Sequence, residues 1–334
     1  MRAVILVGGF GTRLRPLTLS APKQMLPVNG LTMLERVVMN LARGGVTEAV
    51  LALGYLPEVF QEEFPSGEIA GVAMHYAVEP EPLDTGGAIG FAARFAGFTD
   101  QTFIALNGDV INDLDIAGLV AQHRRFGGEG TIHLTPVEDP SRFGVVPIDA
   151  AGRVEAFIEK PPAEEAPSNW INAGTYVLEP SVLERMPEGE KVSIERAVFP
   201  AMVADGTLFA VQEDGYWVDA GTPESYLKVA LDLVNGVRSE EPAIAADTIV
   251  HESAAVENSI VESGAIVDAG AVVSGSMIQR GARIGSDAQV IDSIVGPNAL
   301  VGTGAKLSDL TVVGDSVTVE ANSAHSSARL PASD

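Results

Sequence analysis

The sequence contains no cysteine, so disulfide bridges and cysteine-ligated zinc are excluded. Basic residues are scarce. The 21 Lys and Arg stand against 45 Asp and Glu, a net charge of −24, and a chain this acidic is not expected to bind a nucleic-acid backbone. The five histidines (His75, His123, His133, His251 and His325) show no metal-ligand spacing. No Ser/His/Asp or Cys/His set suggests covalent catalysis. No apolar run approaches the roughly 18 residues of a membrane span. The apolar start is only a short strand's length and lacks a cleavage-site pattern, so no signal peptide and no membrane partner are expected, and the expected location is the cytoplasm.

At 334 residues the chain is long enough for two domains and a large core. Its most informative stretch comes first. Ala3 to Val7 is apolar and β-branched, as in a buried parallel strand, and Gly8, Gly9 and Gly11 follow at once. Glycines there let backbone N–H groups approach a ligand, which makes the loop a natural phosphate cradle. Two cations that can meet a polyphosphate follow: Arg13, a planar fork, and Lys23, a compact charge between Pro22 and Pro27 in a chain with only five lysines. The pattern G-x-x-x-x-G-K-[ST] is absent, and Leu14 stands where a dinucleotide fingerprint has its third glycine.

Further on, strands and helices alternate. Leu34, Val37, Val38 and Leu41 share a helical face. Strands are expected at 48–53, 72–78 and 102–106, and helices at 57–64, 87–95 and 116–126 with Asp115 as N-cap. This spacing indicates a doubly wound, mostly parallel sheet, with ligands at the carboxyl ends of its strands. Strand-rich residues 131–177 read as an inserted or edge substrate lobe, with strands at 131–137, 145–148, 154–158 and 171–178. Residues 193–203 read as a helix, as do those from Pro223 to about Val234.

Asp109, in Leu106-Asn-Gly-Asp109, and Asp219, in Trp217-Val-Asp219, each end a strand, and two such carboxylates suit a hard cation such as Mg²⁺. Lys160 can hold a phosphate monoester, with Glu159 accepting from hydroxyls. Gly174 and Gly144 lie in strands, where glycine suggests close backbone approach. Glu79 to Gly87 is a rigid turn opening a helix and can hold a ligand through its backbone and one carboxylate. Each of these features also has a structural reading as a cap, bulge or exposed charge pair.

Residues 237–247 are polar and read as a linker. Beyond them Ile260, Ile266, Val272, Ile278, Ile284 and Val290 recur every six residues. After a one-residue slip, Val295, Val301, Leu307, Val313 and Val319 do the same. Small residues fill the gaps, as in a hexapeptide β-helix over 248–321, followed by a tail at 322–334.

Gly8-Gly-Phe-Gly-Thr-Arg-Leu-Arg-Pro-Leu-Thr18 with Pro22-Lys-Gln-Met-Leu-Pro27 resembles the signature of the sugar-1-phosphate nucleotidyltransferases. Ser193-Ile-Glu195, Val198-Phe-Pro-Ala-Met202 and Tyr216-Trp217 with Asp219 are most similar to its mannose-1-phosphate guanylyltransferase subgroup. The resemblance implies a Rossmann-like nucleotidyltransferase domain over 1–236, then a left-handed parallel β-helix through which homo-oligomers form. It implies transfer of a nucleotidyl group from an NTP to a sugar 1-phosphate, with Mg²⁺ held by Asp109 and Asp219. Arg13 and Lys23 would then be catalytic. Leu6, Gly8, Gly9, Gly11, Thr12, Glu79, Thr85 and Gly86 would bind the nucleotide, and Asn107, Gly144, Glu159, Lys160 and Asn172 the sugar phosphate. GTP and mannose 1-phosphate are the expected pair. Three positions depart from the pattern: Phe10 is bulkier than usual, Asp84 replaces a common glycine, and Gln24 is more like thymidylyltransferases. They keep glucose-1-phosphate thymidylyl or uridylyl transfer as an alternative. A non-catalytic sugar-nucleotide sensor is a second class, and acyl transfer by the β-helix a third that lacks a well-placed histidine.

Overall fold

In the computed structural model, residues 1–54 and 57–332 are described, and they fall into two compact units. The first comprises Met1–Gly9 and Leu34–Trp217. Its centre is a ten-stranded sheet. The first strand, Arg2–Leu6, is the middle of the parallel part, lying between Glu48–Leu53 and Phe103–Asn107, and Val72–Val78 extends it on the far side of Glu48–Leu53. Ala3, Val4 and Ile5 have no exposure, as a strand covered on both faces requires.

Helices flank this sheet: α1 (Met33–Arg43), α2 (Pro57–Glu63), α3 (Asp84–Phe95), α4 (Ile116–Phe126) and α5 (Phe199–Asp205). The face expected of α1 is buried at Leu34, Val37, Val38 and Leu41. Asp115 caps α4, its carboxylate accepting from Gly118 N at 3.0 Å. α3 begins at Asp84, three residues before the expected start, with Asp84 itself in a left-handed backbone (φ 58°).

The strand-rich region is part of the same sheet, not a separate lobe. Trp170–Leu178 pairs antiparallel with Phe103–Asn107 on one side and Gly130–Pro136 on the other, and Leu208–Gln212 pairs parallel with Gly130–Pro136. The expected strand at 154–158 is reduced to Ile158–Glu159. The backbone before it is drawn elsewhere, Arg153 bridging to Phe209 and Val154 N donating to Leu208 O at 3.0 Å. The expected helix at 193–203 opens as a π-turn over Ile194–Val198 and becomes α5 only at Phe199, with Pro200, which has no N–H to donate, in its first turn.

The second unit comprises Phe10–Met33 and Val218–Asp334. It holds the signature turns, the hairpin Pro27–Val28/Leu31–Thr32, helix α6 (Pro223–Val234) and a left-handed β-helix of three five-stranded parallel sheets. Along one sheet the register runs Ile249, Ile266, Arg283, Leu300, Thr318: steps of 17 and finally 18 residues, so most coils are one short of three hexapeptides. Val261, at the end of the first coil, and Val267 and Val273, in the second, face inward and are nearly unexposed. The expected Ile266 and Val272 lie one position off, half-buried and 36 % exposed. Adjacent apolar pairs hide the inward member from sequence, and a one-residue slip reverses the face. From Ile278 onward the expected residues are the inward ones. The stack continues past 321 with Ala324–Ser326 and Arg329–Leu330.

Candidate active site

In the first unit, the carboxyl ends of the parallel strands lie side by side. Leu6 is in register with Asn107 and with Ala52, and Gly108 N donates to Leu6 O at 2.9 Å. Gly8 and Gly9 follow the first strand, and Asp109 follows Gly108 with only 8 % exposure. Glu79 follows Val72–Val78. A Cβ built on Gly8 would lie 3.8 Å from Glu79 Oε1, and Glu79 Oε2 accepts from Leu83 N at 3.0 Å. Burial raises the Glu79 pKa above the ordinary glutamate value, more than the Leu83 hydrogen bond lowers it.

Thr85 and Gly86, expected near the base, direct their polar groups to the chain itself. Thr85 Oγ1 donates to Glu195 Oε2 at 2.6 Å and accepts from Ile194 N at 3.0 Å. Gly86 and Gly87 both donate to Val192 O. Ser193 Oγ also donates to Glu195 Oε2, at 2.8 Å. Glu195 thus fastens the turn that follows Glu79, a role that sequence reading missed because its partner is 110 residues away.

Two clusters hold the residues expected at the sugar phosphate. In the first, Gly144 pairs with Glu159 across an antiparallel bridge, and a Cβ on Gly144 would sit 3.1 Å from Glu159 Oε2. Lys160 Nζ lies 3.5 Å from Glu159 Oε1. In the second, the ladder of Trp170–Leu178 shifts between Asn172 and Tyr176. Asn172 Nδ2 donates to Tyr176 OH at 2.9 Å, and its Oδ1 accepts from Gly174 N at 3.0 Å. Gly174 is required twice over: its φ is +76°, and a Cβ there would fall 2.6 Å from Asn107 Nδ2. Trp217 Nε1 donates to Ala173 O at 2.9 Å, bracing the same bulge.

In the second unit, Gly11 is left-handed (φ +59°), and its carbonyl accepts from Thr18 Oγ1 at 2.8 Å. A Cβ on it would meet Thr18 Cγ2 at 3.0 Å and Lys23 Cβ at 3.2 Å, so the turn closes tightly on the lysine. Thr12, Arg13 and Leu14 form one 3₁₀ turn. Arg13 and Asp219 converge at Gly221, where a Cβ would lie 2.7 Å from Arg13 Nη2 and 2.8 Å from Asp219 Oδ1. Asp219 Oδ1 accepts from Gly221 N at 2.9 Å, and Thr222 then starts α6 with a capping box. Gly221 was not among the residues expected at the site; the structure places it against Arg13 and Asp219, and its signal in the sequence is the Asp219-Ala-Gly221-Thr222 strand end. Among the described residues no three His, Cys, Asp or Glu side chains are gathered for one metal ion.

This geometry has counterparts. Residues 2–236 match the Nucleotidyl transferase family and residues 238–330 the GMPPB C-terminal domain. The chain is 44 % identical over 260 residues to the mannose-1-phosphate guanylyltransferase of Mycobacterium tuberculosis, covering 76 % of this chain and 71 % of that one. It is 43 % identical over 249 residues to the mannose-1-phosphate guanyltransferase of Schizosaccharomyces pombe, covering 74 % and 68 %. Among solved structures, HddC of Yersinia pseudotuberculosis superposes with a TM-score of 0.59 at 30 % identity, over 69 % of this chain and 97 % of that one, and has also been solved with GMP-PN.

Proposed function

The chain is a member of the nucleotidyl transferase family, and from that membership we propose that it transfers GMP from GTP to mannose 1-phosphate, giving GDP-mannose and pyrophosphate. The observation that carries the reading is the signature loop itself: Gly11 closed on Lys23, with Arg13 brought beside Asp219 in the same unit. A phosphate oxygen of the sugar phosphate attacks the α-phosphorus of GTP. The new O–P bond forms as the bond to the β-phosphate oxygen breaks, and its electrons leave on pyrophosphate. The attacking oxygen is already anionic at neutral pH, so no general base is needed. The obstacle is repulsion between polyanions.

In this reading Lys23 neutralises charge at the α-phosphate. Arg13 and the N–H groups of Gly8, Gly9, Gly11 and Thr12 receive the departing pyrophosphate. Leu6 and Glu79 border the base. Lys160, oriented by Glu159, holds the sugar phosphate against Gly144, Asn107 and Asn172. Family members use a divalent metal, and we assign Mg²⁺. The two aspartates are hard oxygen donors of the kind it takes, so Asp109 and Asp219 would hold it, and when bound it offsets phosphate charge. The β-helix, with Ile249 and Leu300 exposed on one sheet, is the surface we assign to self-association. No helix among the described residues is long and apolar enough to cross a membrane, and we place the reaction in the cytoplasm.

The test is product analysis. GTP, mannose 1-phosphate and Mg²⁺ should yield GDP-mannose and pyrophosphate in equal amounts, and Lys23→Ala or Asp109→Asn should lower turnover at least about a hundredfold, the scale of one lost transition-state charge contact. Tight GTP binding with no pyrophosphate would identify a sensor instead.

A further inference from the structure

One row of the β-helix runs against the segment that carries Arg13 and Lys23. Glu262, Gln279, Gly296 and Gly314 occupy the same place in four successive coils, each directly after an inward residue of one stacked column, Val261, Ile278, Val295 and Val313. The sheet they terminate is the covered one. Its outward residues Ile260, Met277, Ile294 and Val312 are all unexposed, whereas the other two sheets leave Ile249, Val272 and Leu300 exposed.

The contacts along this row follow the signature segment backwards. Gly30 N donates to Glu262 Oε1 at 3.2 Å, and the other oxygen of Glu262 accepts from Arg280 N at 3.2 Å. One coil on, Gln279 Nε2 donates to the Tyr226 hydroxyl at 2.7 Å, and that hydroxyl donates to the carbonyl of Pro27. Two coils further, a Cβ on Gly314 would lie 3.1 Å from the Cβ of Pro16, a tight contact that glycine avoids, and Ser20 Oγ donates to Asp315 Oδ2 at 3.5 Å beside it. With coils stacked at roughly 4.8 Å, residues 16–30 are pinned over three coil steps.

The residue types along the row argue for a purpose beyond packing. Gln279 is completely buried, and its Oε1 has no partner among the described residues, a costly arrangement that a leucine or methionine would avoid. What the carboxamide gains is the Tyr226 hydroxyl, and through it Pro27, four residues after Lys23. Tyr226 stands on α6 seven residues after Asp219, so one buried strut ties the β-helix both to the lysine's loop and to the helix that starts behind the aspartate.

We propose that the Glu262–Gln279–Gly314 row, with Tyr226, is a positioning device for Lys23, Arg13 and Asp219, so that the β-helix sets the geometry of nucleotidyl transfer. This rests on the reaction assigned above. These are positioning residues: they act through the signature loop and need not touch substrate. A displacement near 1 Å at reacting groups costs about a hundredfold in rate, so a loosened seat is felt in kcat before it is felt in stability.

The test uses the full chain. Gln279→Met keeps the volume and removes the strut, Tyr226→Phe removes only the hydroxyl, and Gly314→Val lifts Pro16. Gln289→Ala, on an exposed row of another sheet, is the control. Hydrogen exchange over residues 10–33 and steady-state kinetics are both measured. Expected are faster exchange of that segment and a fall in kcat of at least about tenfold for Gln279→Met and Tyr226→Phe. KM for mannose 1-phosphate should stay within about twofold and the melting temperature near wild type, with the control unchanged throughout. Unchanged exchange and kcat in both variants would overturn the proposal. A wild-type chain that releases no pyrophosphate would overturn the reaction assigned, while the exchange measurement would still decide whether the row holds the loop.

Discussion

Glu79 sits where two demands on a carboxylate conflict. Partial burial beside Gly8 raises its pKa, so at neutral pH the charged form costs the fold stability, and that cost is relieved as the pH falls through the raised value. A guanine, however, presents N–H donors that call for a charged acceptor. Glu79→Gln is therefore expected to raise the melting temperature at pH 7, with the gain vanishing near pH 4, while KM for GTP rises several-fold. In the wild type, the acid limb of kcat/KM for GTP should lie above the ordinary glutamate range and be absent in the variant. A variant with unchanged KM for GTP would remove Glu79 from base reading. Much of this was legible in sequence: Gly11, Arg13, Lys23 and Asp219 stand in short local motifs, and the structure draws them into one unit. Glu195 was not legible, because nothing local marks a carboxylate whose partner, Thr85, enters the turn from a distant part of the chain.

Secondary elements with a single strong period were read correctly, and those with competing partners were not. Val72–Val78, Ile116–Phe126 and Pro223–Val234 match expectation at both ends. The 154–158 strand and the β-helix repeat over 260–273 do not, the one because its backbone bonds to Leu208 and Phe209, the other because paired β-branched residues disguise which member faces inward. The Gly130–Pro136 strand carries its own prediction. His133 is buried there, and desolvation lowers its pKa from 6.5 to about 4. Between those values the unfolded chain takes a proton that the fold refuses, so stability is lost as the pH drops from about 6.5 toward 4. Replacing it, His133→Leu, should flatten that slope in denaturant titrations at successive pH values. An unchanged slope would show that other groups govern the acid limb. In the β-helix, Leu307 is an inward residue with 1 % exposure. Leu307→Ala should cost about 2–5 kcal/mol by cavity formation, read as a lowered denaturant midpoint.

For the molecule as a whole, positive charge is scarce, with 21 Lys and Arg against 45 Asp and Glu, and the signature stretch holds three of the cations, Arg13, Arg15 and Lys23. The chain spends long-range structure on that loop: an N-terminal segment is held by a C-terminal row more than 230 residues on. No sequence period could reveal this, because the row changes residue type along the stack, from Glu262 and Gln279 to Gly296 and Gly314.

The central claim is the identity of the two substrates, and Gln24 marks where the sequence leaves the guanylyltransferase pattern. The most direct measurement is kcat/KM for pyrophosphate release across GTP, dTTP, UTP, ATP and CTP against mannose, glucose and N-acetylglucosamine 1-phosphates with Mg²⁺. We predict that GTP with mannose 1-phosphate exceeds every other pair by at least about a hundredfold, since a site that hydrogen-bonds its substrate leaves polar groups unpaired with the wrong one and can discriminate by about 10⁴-fold. A dominant signal from dTTP or UTP with glucose 1-phosphate would contradict the guanylyl and mannosyl assignment and leave the transfer chemistry standing.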